Sequence, residues 1–118
     1  MWGSVVLDSG ADLRALSERA YHLLCSLAQA RSVQGLSAEE ISVFLAIGYL
    51  SIAYSGNFIA LKPITYREVS TQLAVPKATV RRKAIRLLDK KLISTTGRGV
   101  VISDIRAWSS LIANIFHV

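Results

Sequence analysis

Between Thr65 and Ser103 the chain reads TYREVSTQLAVPKATVRRKAIRLLDKKLISTTGRGVVIS, and this stretch constrains the fold more than any other. Thr65-Tyr66-Arg67-Glu68 is a capping box, in which a hydroxyl and a carboxylate satisfy two amides at a helix start. It opens a short helix to about Leu73, with Val69, Leu73 and Tyr66 inward. Ala74-Val75 is a turn, and Pro76 suits the first turn of a second helix, where its missing N–H costs nothing. That helix is predicted over 76–91. Val80, Ala84, Leu87 and Leu88 form its core stripe, and Lys91 ends it near the helix C-terminus, where a cation is favourable. Lys77, Thr79, Arg81, Arg82, Lys83, Ile85 and Arg86 lie mainly on the other faces. Leu92–Thr96 then reads as a strand, Gly97-Arg98-Gly99 as a tight turn and Val100–Ile102 as the return strand. Phe58–Ile64 is short and interrupted by Pro63, and Ile64 is predicted to add a brief strand to that hairpin.

Charge follows the same division. Residues 1–61 hold three Lys/Arg against five Asp/Glu, whereas residues 62–118 hold eleven against three. A basic half joined to a neutral-to-acidic half implies a scaffold carrying a surface for a polyanion. Helix, turn, helix and hairpin together describe a winged helix-turn-helix. The fold class expected is mainly α with a small β-hairpin wing and extra N- and C-terminal helices. The chain is read as a single domain over 1–118, with a helical scaffold and dimerisation part (1–61), the winged unit (62–103) and a C-terminal helix (104–118).

The scaffold has its own signals. Residues 1–10 show no period and form a loosely packed lead-in. Asp12–Arg31 is helical, about five turns long, with Leu13, Leu16, Ala20, Leu23, Leu24 and Leu27 on one face. That length exceeds what a supporting helix in so small a domain needs, and implies extension into a partner subunit. Ser32–Gly35 breaks the pattern. Ser37-Ala38-Glu39-Glu40 is another capping box, opening a helix to about Ser55 with Gly56-Asn57 as its stop. Val43, Phe44, Leu45, Ile47, Leu50 and Ile52 surround that helix almost completely, which makes it central, and Gly48 permits a close helix approach. Asp104 or Ser103 caps a last helix, Ile105–Phe116, with Ile105, Trp108, Ile112 and Ile115 as its stripe and Leu111 and Phe116 beside it. Leu16, Leu23, Trp108, Ile112 and Ile115 are the candidate homodimer residues.

Other chemistries find little footing. Cys25 is the only cysteine, so no disulfide within the chain is possible, and it is read as a small core residue. His22 and His117 have no helical His or Cys partner at metal-ligand spacing, so no metal and no cofactor are expected. Asp and Glu are sparse and mostly occupy helix starts. The Gly97–Gly99 segment is too small to cradle a phosphate, and an enzyme is not expected. The start lacks a secretory signal. Ile41–Leu61 is the one candidate membrane segment, but it is broken by Gly, Ser and Asn and reads as a buried helix. A cytoplasmic protein without membrane contact is therefore expected.

The expected partner is double-stranded DNA. A helix fits the major groove when its apolar stripe faces back and its cationic side faces out. Arg81 and Arg82 are assigned to base edges, with Lys77 and Thr79 beside them, and Lys83 and Arg86 to phosphates. Ile85 is read as a packing residue, with a thymine methyl as its other possible contact. Arg98, at the hairpin tip, is assigned to the minor groove or its phosphates. Thr65 and Arg67 add backbone amides and a cation at the phosphates.

These residues carry a resemblance. ITYREVSTQLAVPKATVRRKAIRLLDKKLISTTGRGVVI is similar to the winged helix-turn-helix domains of bacterial transcription regulators. The T-V-R-R run, Leu87, Leu92-Ile93 and Gly97-Arg98-Gly99 resemble the GntR-type module. Pro76-Lys77-Ala78-Thr79-Val80 resembles the IclR type, and the overall layout resembles MarR-type regulators. The resemblance implies a dimer through the terminal helices and binding of palindromic DNA. The wing is shorter than the MarR type and lacks its acidic–arginine signature, and no effector domain of the GntR or IclR kind follows, so the resemblance extends to DNA binding and identifies no small-molecule effector. Two other uses fit the same residues: a winged-helix protein–protein module, and a DNA-binding role in plasmid or phage replication or partition.

Overall fold

The computed structural model describes residues 10–116, excepting the side chains of Ala11, Ile115 and Phe116. The lead-in expected over residues 1–10, apart from Gly10, and His117 lie outside the described residues. The elements in order are α1 (Gly10–Gln29), a π-helical turn (Ala30–Gln34), α2 (Ala38–Ser51), β1 (Ile52–Ser55), β2 (Phe58–Leu61), α3 (Tyr66–Leu73), α4 (Lys77–Asp89), β3 (Ile93–Thr96), β4 (Gly99–Ile102) and α5 (Ile105–Phe116). The architecture is mainly helical with a β-hairpin wing, as the sequence implies.

The central helix is α2, because its sequence is apolar on nearly every side. Ile41, Val43, Phe44, Ala46, Ile47 and Gly48 are all buried, against α3 and α4 on one side and β4 and α5 on the other. Both capping boxes form as the sequence predicts. Ser37 Oγ accepts from the Glu40 amide and Glu40 Oε1 accepts from the Ser37 amide. Thr65 and Glu68 repeat the exchange at the start of α3. Ile64 bridges to Val100 through two backbone hydrogen bonds of 2.8 Å, which attaches the wing to the segment ahead of α3. Gly99 makes this possible, since at its φ of +144° any Cβ would strike the Ile64 carbonyl.

Four expectations need correction. First, α2 ends at Ser51 and not near Ser55. Ile52–Ser55 pairs antiparallel with Phe58–Leu61, and Gly56-Asn57 is a hairpin loop and not a helix stop. Gly56, at the first loop position, takes the φ of +61° that such loops favour. This hairpin stands off the core, with Tyr54, Phe58 and Ile59 strongly exposed. Second, Cys25 is exposed, and the neighbouring Ser26 is the buried residue, its Oγ donating to the Leu111 carbonyl. Third, α5 is rotated from its expected stripe. Leu111 is buried, with Ala107 and Trp108 packed on the core, and Ile105 is exposed. Fourth, Pro76 stands one residue ahead of α4, as its N-cap without a side-chain hydrogen bond.

The long first helix runs past the body it supports. Its anchored end carries Ser26, Leu27 and Ala30 against α5, and Gln29 accepts from Asn114 at 2.9 Å. Its leucines Leu13, Leu16, Leu23 and Leu24 are exposed, Leu16 at 60% and Leu24 at 64%. A compact chain of 118 residues would have a radius of gyration near 13.5 Å; here it is 16.8 Å, as a projecting helix requires. No helix among the described residues is long and apolar enough to cross a membrane.

Candidate nucleic-acid interface

The α3–α4 pair is set by its turn. Ala74 closes α3 in the left-handed region at φ +56°. The Val75 amide returns to the Ser70 carbonyl, and Ser70 Oγ donates to the Val75 carbonyl. The Pro76 carbonyl then accepts from Thr79 and Val80, starting α4. Val80, Ala84 and Leu87 are fully buried. Since successive helical residues lie ~100° apart, the face opposite this stripe is made by Ala78, Arg82, Ile85 and Asp89. All four are exposed.

The cations of α4 therefore divide by position. Arg82 lies on the outward stripe and Arg81 on the wing-side flank, both exposed. Arg82 Nη2 reaches Thr79 Oγ1 at 3.4 Å, which joins two of the candidate DNA-contacting residues. Lys77, Thr65, Tyr66, Thr95, Thr96, Gly99, Ile64 and Val100 line an open groove of about 340 Å³ between the helix starts and the wing. Thr65, Thr95 and Thr96 give it a lining of hydroxyls, which are among the groups that bond phosphate oxygens. Thr96 organises the wing tip, accepting from the Arg98 amide at 3.1 Å and donating to the Gly99 carbonyl at 3.3 Å. Arg98 and Arg67 are exposed. At the start of α3 the capping box occupies the amides of Thr65 and Glu68, and the Thr65 hydroxyl proton stays available for an outside acceptor.

The other flank of α4 is different. Lys83 and Thr79 are half-buried and share a recess of about 160 Å³ with Glu39, Ser42, Val43, Leu73 and Val75. Arg86 Nε lies 3.5 Å from Glu40 Oε2, and Glu40 is buried while Arg86 stays 58% exposed. The acidic start of α2 thus pairs with Arg86, one of the cations expected at phosphates. Ile85 is the clearest departure, because the sequence reading packs it and the structure exposes 49% of it beside Arg82. Thr95, Thr96 and Tyr66 were not among the expected residues. Only the fold, by laying the wing beside α3, brings them to the groove.

Of the candidate dimer residues, Leu16 and Leu23 are exposed on α1 and Ile112 is half-buried. Trp108 is engaged within the chain, its Nε1 donating to the Leu45 carbonyl at 3.3 Å. The Ile115 side chain lies outside the described residues. Among the described residues no group of three or more His, Cys, Asp or Glu could hold a metal ion.

No family model and no curated protein matches the chain. A solved structure of a protein of unknown function from Listeria innocua resembles it, with a TM-score of 0.60 at 18% identity over 91% of this chain and 72% of that one. The likeness is one of fold.

Proposed function

We propose that this chain binds double-stranded DNA sequence-specifically, as a small dimeric transcription regulator. In this reading α4 enters the major groove and the Gly97-Arg98 loop lies at the minor groove. The observation that carries it is the two-sidedness of α4. Val80, Ala84 and Leu87 are sealed into the core, while Lys77, Arg81 and Arg82 stand exposed on its other faces. Arg82 and Arg81 take base edges, each good bidentate contact being worth ~1–3 kcal/mol of discrimination. Lys77, Arg67, Thr65 and Arg98 take the phosphates around the groove beside the wing.

The test is fluorescence anisotropy with a random duplex over a salt series, followed by selection of bound sequences from a random pool. Binding should weaken steeply with salt, because each neutralised phosphate releases condensed counterions. The selected sites should share a motif. Absence of duplex binding at low salt would overturn the reading and favour the use of this surface on a protein partner. A dependence on salt without an enriched motif would remove the sequence-specific part.

A further inference from the structure

We propose that Ile85 reads the C5-methyl group of a pyrimidine, thymine or 5-methylcytosine, in the major groove; this rests on the DNA-binding reading above. Three observations lead to it. Ile85 lies outside the core cluster and is 49% exposed, on a face between Arg82 and Asp89. It shares its outward stripe with Arg82, three residues earlier, and with Ala78, whose small side chain lets the helix sit deep. The stripe ends one turn later at Asp89, an exposed carboxylate that phosphates repel, which leaves Ile85 as the apolar residue between two charged ones.

Helix formation does not explain an isoleucine here, since Lys, Arg or Glu would favour an exposed helix more. Its β-branched side chain is stiff, and an apolar side chain in the major groove finds one apolar partner, the pyrimidine methyl. The spacing fits. Three residues of helix advance about 4.5 Å, a little more than the 3.4 Å between successive base pairs on one strand. With Arg82 on a guanine, Ile85 reaches the next step or the one after it.

The experiment starts from the sequence selected by the wild-type protein. Each thymine is replaced in turn by uracil, and each cytosine by 5-methylcytosine, and affinities are measured by anisotropy. One thymine per half-site should show about a fourfold loss on removal of its methyl, the scale of burying one such group. If that position is cytosine, methylation should produce a gain of similar size. Either effect should vanish in Ile85→Ala, with its helical circular dichroism unchanged, and persist in Ile85→Val.

A wild-type protein indifferent to every methyl change, while Arg82→Ala still alters the selected motif, would overturn the proposal and leave the DNA reading standing. A methyl effect that survives in Ile85→Ala would overturn it too, by assigning the contact elsewhere. Failure to bind any duplex would overturn both.

Discussion

The indole of Trp108 occupies the space that a side chain at position 48 would fill, so Gly48 is the condition for α5 to lie on α2. Its Nε1 is held at the Leu45 carbonyl, so the ring cannot swing away without losing a hydrogen bond. Gly48→Ala should gain about 1 kcal/mol in helix propensity and lose more through overpacking, which typically costs about 1–3 kcal/mol. A net destabilisation of up to about 2 kcal/mol is expected in urea unfolding followed by circular dichroism. Adding Trp108→Leu should recover part of it, because the obstruction is then gone. A single variant as stable as wild type would show that the contact is not tight in solution.

The turn between α3 and α4 is made by an alanine in a conformation that suits glycine. At φ +56° the Cβ of Ala74 crowds the following carbonyl, at a cost of roughly 1–2 kcal/mol. Ala74 is exposed, so removing its methyl sacrifices no packing. Ala74→Gly should stabilise the fold by about 0.5–1 kcal/mol after the greater backbone entropy of glycine is set against it. Thermal unfolding should move up by several degrees. A lower midpoint would mean that the turn relaxes away from this φ.

The parts of the fold legible in advance were those set by local chemistry. The boxes at Ser37 and Thr65 and the Asp104 cap need only neighbouring residues to form, whereas Gly99 pairs with Thr96 in the wing and leaves Gly97-Arg98 as its loop, not the three-residue turn that the sequence suggests. The hairpin after Ser51 is hidden in the sequence because Ile52–Ser55 continues an apolar helical run without a visible break. The Gly56-Asn57 pair was the signal that could have found it. At the interface, the residue types were readable and their facing was only partly so. Ile85 could have been placed opposite Val80, Ala84 and Leu87 from helical spacing alone. The pairing of Arg86 with Glu40 could not, since it depends on where α2 crosses α4.

That crossing sets an order among the arginines. Arg81 is exposed on the wing side, whereas Arg86 is drawn to Glu40, itself the carboxylate of a capping box. Arg81→Gln should weaken binding to the selected site by about 1–3 kcal/mol and relax the motif at one position. Arg86→Gln should do less than half of that. Glu40→Gln keeps an acceptor for the Ser37 amide and removes the competing charge, so nonspecific binding should strengthen. Equal losses for the two arginine variants would mean that the Glu40 pairing gives way to DNA.

The leucines of α1 make the dimer testable in a way that Trp108, committed to Gly48, does not. Leu13, Leu16, Leu23 and Leu24 are exposed along the stripe. Exposed leucines on a projecting helix recover ~1.5–3 kcal/mol each when fully buried, so a second copy of the helix has ample reason to cover them. Light scattering at micromolar concentration should yield twice the 12.9 kDa chain mass. Leu16→Glu with Leu23→Glu should return the chain mass while leaving helical content intact, because neither side chain is buried in the chain itself. The monomer should also bind a two-half-site duplex more weakly than the dimer, with a shallower salt dependence, since it neutralises about half as many phosphates. A wild-type chain that scatters as a monomer would end the dimeric part of the reading and leave single-site binding by α4 to be judged alone.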